Sequence, residues 1–177
     1  LFDGINDMYF MQIRYFVNNK NFIFISRTGY TGEDGFELSV PNLVIDNLIN
    51  DLVSNNQVIL CGLGCRDSLR LEAGLSLYGN ELHEEISPVE ANLSWTLSKE
   101  RMQSGGFNGH QIISKQKERG VSKRRVGIIS KSKSILRSKM ELFNENNQNI
   151  GTITSGGFSP TLNTSIGIAY INKIFIN

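Results

Sequence analysis

The spacing of apolar residues changes character between Gly120 and Lys123, and this change constrains the fold more than any other feature of the chain. Before it, helix-like and strand-like segments are mixed. Val44, Ile45, Leu48, Ile49, Leu52 and Val53 recur at helical spacing, with Asp46, Asn47, Asn50 and Asp51 on the opposite face. This predicts an amphipathic helix that opens after Pro41 and ends at Ser54, Asn55 and Asn56. A second helix is expected over about residues 65–73, stopped by Gly74, and a third over 107–118, stopped by Gly120. Residues 8–17 and 22–26 read as a hairpin across Asn18, Asn19, Lys20 and Asn21, and residues 36–40 as a further strand. Residues 57–60 read as a short buried strand. Residues 75–95, which include Gly79, Ser87 and Pro88, read as loops and short elements.

After the change, helical periodicity is gone. Residues 126–129, 140–144, 150–154 and 165–171 form short strand-like segments, punctuated by Gly156, Gly157 and Pro160. The expectation is an α+β chain in two parts, residues 1–121 and 122–177. The second part is a small all-β module that reaches Asn177 with few strands and is therefore incomplete. Because the chain opens at Leu1 rather than Met, it is expected to be a piece of a longer protein.

Charge is nearly balanced, with 18 Lys and Arg against 17 Asp and Glu. That balance gives no field suited to nucleic acid or an anionic membrane. One basic stretch holds Lys115, Lys117, Arg119, Lys123, Arg124 and Arg125. It reads as a solvated helix end and loop, or as a docking patch for an acidic partner. Cys61 and Cys65 read as reduced core thiols of an intracellular protein. Together with His83 and His110 they fit no zinc spacing, so no metal is expected. No apolar run approaches the ~18 residues of a membrane span.

Two segments can carry chemistry. The first is SRTGYTGEDGFEL, from Ser26 to Leu38, where Gly29, Gly32 and Gly35 let backbone approach a ligand closely. Tyr30, Glu33, Asp34 and Glu37 stand among them. An aromatic ring beside a carboxylate can clamp a flat heterocycle, the ring packing on it and the carboxylate accepting in-plane N–H bonds. A tight hairpin with solvated acids is the plainer alternative. The second segment, CGLGCRDSLRLEAGLSLY, runs from Cys61 to Tyr78. On a helix Arg66 and Arg70 share a face, and Asp67 reaches Arg70 at i+3. Such an arginine can present its fork to a substrate carboxylate, or serve only an intrahelical ion pair. Leu69, Leu71 and Leu75 read as core. A ring clamp, an N–H acceptor and a cation for an anionic tail are the features a folate requires.

These segments, with ISPVEANLSWTL, FNGHQII and ITSGGFSPTLNTSIGIAYI in the same order, resemble the glycine-cleavage T-protein family of aminomethyltransferases over nearly the whole chain. The resemblance implies the C-terminal half of a three-lobed, folate-binding fold, whose last lobe is a small β-barrel, here incomplete. It implies transfer of the methylene of an aminomethyl group, carried on the lipoyl arm of H-protein, to tetrahydrofolate with release of ammonia. Tetrahydrofolate would be a substrate, and no metal is implied. Glu37 falls on the family's pterin-binding glutamate, Arg66 on a folate-contacting arginine, and Tyr30 on a tyrosine of the pocket wall. The stretch from Ser155 to Leu162 matches a barrel signature with a structural role. The family's aspartate near the reactive folate nitrogen lies in an N-terminal half absent from this chain, so no catalytic residue is assigned here and the segment alone is not expected to turn over. The implied compartment is the bacterial cytoplasm or the mitochondrial matrix. Alternatives are another folate-binding relative, such as the C-terminal part of a dimethylglycine or sarcosine dehydrogenase or an iron–sulfur assembly factor, and a non-catalytic folate-binding fragment.

Overall fold

In the computed structural model, residues 2–18, 20–132 and 134–176 are described. Asn19 in the expected hairpin turn and Asn177 at the expected end of the β module lie outside them. The chain divides into two compact units, Leu1–Ala73 and Gly74–Asn177.

The first unit is built on a three-stranded antiparallel sheet in the order β1 (Ile13–Asn18), β2 (Asn21–Ser26), β3 (Glu37–Ser39). β1 starts later than the apolar run implies. Residues 9–12 are spent on a turn in which Met11 takes a positive φ of 69° and the Gln12 N–H donates to the Tyr9 carbonyl at 2.9 Å. Met8 instead turns inward and joins Ile23 and Ile25 in a core, flanked by Phe2, Ile5, Phe16, Phe36 and Val40. Each buried isoleucine contributes about 1.5–3 kcal/mol relative to exposure. Helix α1 (Asn42–Val53) follows Pro41, which sits at its N-cap, and buries Leu48. Helix α2 (Leu63–Glu72) buries Arg70 and Leu71.

Residues 57–60 contradict the expected buried strand. They carry no strand assignment, and Ile59 and Leu60 are 82% and 76% exposed. An apolar run becomes a buried strand only when neighbouring strands and a covering layer exist, and among the described residues none pairs with this segment. Cys61 and Cys65 share its exposure, which overturns their reading as core thiols. Leu69 and Leu75 are only partly buried, unlike Leu71.

The second unit opens with turns and short elements. Helix α3 (Lys99–Ser104) was not expected. Its signal is Ser98, whose hydroxyl caps it by accepting from the Arg101 N–H at 3.1 Å. Helix α4 (His110–Arg119) ends at Gly120, whose φ is 86°. Val89, Ile113 and Val121 form a core beneath these helices. Four antiparallel strands follow, in the order β4 (Lys123–Ile129), β7 (Thr164–Asn172), β6 (Asn149–Ser159), β5 (Glu141–Phe143). Among the described residues the sheet does not close: β4 and β5 are its edges. β6 is longer than expected because a bulge between Ile153 and Ser155 carries Gly156 and Gly157 into the ladder. At Gly156 a side chain would stand 2.6 Å from the Leu136 carbonyl, so only glycine lets the 134–139 segment cross the sheet there. No helix among the described residues is long and apolar enough to cross a membrane.

Candidate functional site

β2 and β3 meet at the Ser26–Glu37 pair, so the ten residues between them form a closed loop in the first unit. Arg27 pins that loop. Its guanidinium donates to both Asp34 carboxylate oxygens, at 2.9 and 2.6 Å, and to the Met8 carbonyl at 2.6 Å. The Arg27 hydrogen bond holds the Asp34 carboxyl below the usual aspartate range, and Asp34 in turn raises the guanidinium. Gly32 has a φ of 79°, and a Cβ there would lie 2.6 Å from that of Ala73. A residue larger than glycine would push the loop away from the end of α2.

That close approach sets Tyr30 against α2. The Arg66 guanidinium lies over the Tyr30 ring, 4.6 Å from its centroid. Arg66 occupies the first turn of α2, where its N–H donates to the Gly62 carbonyl at 3.2 Å. One turn further, Arg70 is buried and its Nε donates to Asp67 at 2.8 Å, as the i+3 spacing predicts. The two arginines thus divide their work: Arg70 is held inside, and Arg66 presents an exposed, stacked guanidinium. The structure brings Tyr30 and Arg66 together. Glu37 stands on the strand side of the loop, exposed, where its Oε2 accepts from the Thr28 hydroxyl. Thr28 is tied in turn to the Ser26 hydroxyl at 2.9 Å. If Thr28 donates to Glu37, Ser26 donates to Thr28, and the relay orients the carboxylate while leaving Oε1 for another donor. Sequence reasoning singled out the acids and aromatics of this motif and passed over its hydroxyls, Ser26 and Thr28, which set the glutamate's orientation.

The two thiols beside Arg66 are near neighbours. A hydrogen bond with Cys61 raises the Cys65 thiol above its ordinary range, which disfavours the Cys65 thiolate. Among the described residues, no group of three or more His, Cys, Asp or Glu is arranged to hold a metal.

The basic stretch falls into two parts. Lys115, Lys117 and Arg119 are exposed on α4. Arg125 is internal glue, donating to the Ala91 carbonyl at 2.8 Å and the Gly74 carbonyl at 2.7 Å, while Lys123 stands 5.5 Å from the Tyr170 ring centroid.

A buried glutamate in the second unit was also missed. Glu81 is fully buried, accepting from the Leu77 N–H at 2.9 Å and from the Thr154 hydroxyl. Tyr170 donates to the Glu81 carbonyl at 2.9 Å. Burial pushes the Tyr170 phenol up to about 12, with Arg125 opposing and Glu90 and Glu81 adding. Nothing in the local pattern of residues 77–82 marks a carboxylate as buried.

Comparison with known proteins places this arrangement in a family. The family model described as "GCVT N-terminal domain" matches residues 3–101, and "Glycine cleavage T-protein C-terminal barrel domain" matches residues 123–177. The chain belongs to the glycine cleavage T-protein family. The mitochondrial aminomethyltransferase of Solanum tuberosum is 49% identical over 171 residues, covering 96% of this chain and 42% of the relative. The aminomethyltransferase of Xylella fastidiosa is 44% identical over 154 residues, covering 87% of this chain and 40% of the relative. The crystal structure of glycine cleavage system aminomethyltransferase T from Bartonella henselae superposes with a TM-score of 0.89 at 35% identity, over 96% of this chain and 46% of that one. The chain therefore spans less than half the length of the T-proteins it matches.

Proposed function

We propose that this chain is the folate-gripping part of an aminomethyltransferase of the glycine cleavage system. The observation that carries the reading is the Arg66–Tyr30 stack on the Gly32-anchored loop that also bears Glu37. In the proposed complex, Glu37 accepts N–H bonds from the pterin ring of tetrahydrofolate, Tyr30 packs against the ligand, and Arg66 offers its cation to the ligand's anionic end. The reaction is transfer of a methylene from the aminomethyl group on lipoylated H-protein to tetrahydrofolate, with loss of ammonia. Two folate nitrogens bond to the methylene carbon as its C–N and C–S bonds break, giving 5,10-methylenetetrahydrofolate, ammonia and the dihydrolipoyl form of H-protein, so the work of this chain is to hold and orient the folate. The carboxylate that faces the developing cation is contributed from outside these 177 residues. Residues 122–177 are the barrel-type lobe of the family's fold. The compartment is the mitochondrial matrix or the bacterial cytoplasm, a reading supported by the mitochondrial name of the Solanum tuberosum relative and by the existence of a bacterial one. Their common name, aminomethyltransferase, favours this reading over a dehydrogenase appendage or an iron–sulfur assembly factor.

The test is a pair of titrations on the assembled enzyme, one with tetrahydrofolate and one with lipoylated H-protein. Glu37→Ala should weaken tetrahydrofolate binding by about 1–3 kcal/mol, roughly tenfold to a hundredfold, because it leaves pterin donors unpaired. Arg66→Ala should weaken it as well, and H-protein docking should survive both. Unchanged folate affinity in Glu37→Ala, with an intact circular dichroism spectrum, would remove the pterin role.

A further inference from the structure

Within the second unit, a cleft of about 490 Å³ lies between the loop at residues 80–86 and one face of the β4–β7–β6 sheet. The register sets Lys123 opposite Asn172 and Thr152 opposite Tyr170, so these four side chains share that face. Tyr170 ties the sheet to the loop by donating to the Glu81 carbonyl at 2.9 Å. Half-buried Lys123 stands with its ammonium 5.5 Å from the Tyr170 ring centroid, and among the described residues no carboxylate pairs with it. Asn172 accepts from the Ile174 N–H through Oδ1 at 3.3 Å, which leaves its Nδ2 as a donor. On the loop wall, His83 Nδ1 accepts from the Glu85 N–H at 3.3 Å, so the neutral ring carries its proton on Nε2.

The lining is therefore rich in donors, with the hydroxyls of Ser122 and Thr152 beside them, and among the described residues it includes no Asp or Glu. The carboxylates nearest in the fold are already engaged: Glu81 takes the Leu77 amide and the Thr154 hydroxyl, and Glu141 takes the Asn149 amide. Glu84 and Glu85 line a different groove, beside Phe107 and Ile112. A cleft walled by donors and one cation focuses positive potential and attracts an anion.

We propose that this cleft binds a small organic phosphate, its oxyanion held between Lys123 and His83 and its body lying along Ile86 and Ile150. The donors approach from two facing walls, which suits a tetrahedral oxyanion better than a planar carboxylate that accepts in one plane. The volume leaves room for an organic body beyond the phosphate, and Ile86 and Ile150 give that body an apolar wall. All of these residues belong to the second unit and none is Tyr30, Glu37 or Arg66, so the proposal is independent of the folate assignment.

The experiment is a calorimetric titration of the assembled enzyme with phenyl phosphate at neutral pH and low salt. Phenyl phosphate should saturate one site. Inorganic phosphate should compete about tenfold more weakly, and benzoate, phenol and excess tetrahydrofolate should not displace the ester. Lys123→Gln, and Asn172→Asp, which sets a carboxylate on the same face, should each weaken binding about tenfold to a hundredfold. Lys123→Arg should keep it within about threefold. Lys115→Gln removes the same charge from the exposed face of α4 and should leave binding unchanged, as should the thermal unfolding midpoint of Lys123→Gln relative to wild type. Absence of saturation, or unchanged affinity in Lys123→Gln and Asn172→Asp, would overturn the proposal. So would an equal loss in Lys115→Gln, which would reduce the effect to net charge. Displacement by benzoate or phenol, or inorganic phosphate binding as tightly as the ester, would overturn the ligand class, and displacement by tetrahydrofolate would make the cleft part of the folate site.

Discussion

β2 in the first unit and β7 in the second carry the same kind of sequence, a run of apolar residues without alternation, yet they meet different fates. β7 is buried on both faces. Ala169 packs with Ile153 and Leu136 on one side, while Tyr170 on the other reaches the Glu81 carbonyl. β2 is buried only through Ile23 and Ile25, and Phe22 and Phe24 stand in solvent. The second unit even buries a carboxylate, and satisfies it with the Leu77 amide and the Thr154 hydroxyl. The difference teaches where each unit is self-sufficient. The second unit covers both faces of its apolar strand and pairs its buried glutamate, although Gln116 Oε1 and Arg124 Nε are buried there without a partner among the described residues, whereas the first leaves an apolar row exposed and is shaped for contact with something else.

This contrast can be broken by mutation. Ile153→Ala in the second unit and Ile25→Ala in the first remove fully buried side chains, and each should cost about 2–5 kcal/mol in chemical denaturation. A loss well below that range at Ile25 would mean that the first unit's core is looser than its burial implies. Glu81→Ala should follow, at about 1–3 kcal/mol, because the Leu77 amide and the Thr154 hydroxyl lose a buried acceptor. Equal stability of wild type and variant would show the network to be dispensable. Tyr170 sharpens the same point through pH. Its phenol is raised to about 12 when folded, so its contribution is complete below the ordinary tyrosine range and is lost as pH rises from about 10 toward 12. Ultraviolet titration should find one tyrosine ionising late, and Tyr170→Phe should remove it. Phe24→Ser, on the bare face, should change the stability of the chain by itself by no more than about 0.5 kcal/mol, in contrast to its neighbour Ile25. The smallest effect belongs to the loop. Asp34 titrates below its usual range through Arg27, so the pair's contribution is present above the unfolded aspartate value and is lost as pH falls through the lowered one. Protection factors for the amides in residues 27–36, corrected for the base-catalysed intrinsic exchange rate, should therefore stay constant through neutral pH and fall only in acid, and Arg27→Gln should abolish that acid dependence.

Much of this was legible in the residues. The helix after Pro41, the stop at Gly120, the hairpin and the later strands all follow from periodicity and turn chemistry, which act over a few neighbouring positions. So does the Asp67–Arg70 pair, because i+3 spacing on a helix is a local geometry. The motifs around Tyr30, Glu37 and Arg66 were also visible in the sequence, and together they led to the family. What tertiary structure alone decided is everything that depends on a partner distant in the chain. The run at 57–60 is apolar enough for a buried strand, but burial needs a neighbour to pair with, and Ile59 lies exposed instead. Cys61 and Cys65 were misread for the same reason. Glu81 is an ordinary acidic residue until Thr154, 73 positions away, closes over it. The Arg66–Tyr30 stack exists because Gly32 lets the loop touch Ala73, a contact that no local pattern encodes. Local spacing sets which elements form, but whether a face ends up covered, paired or bare is settled by what the rest of the chain brings to it.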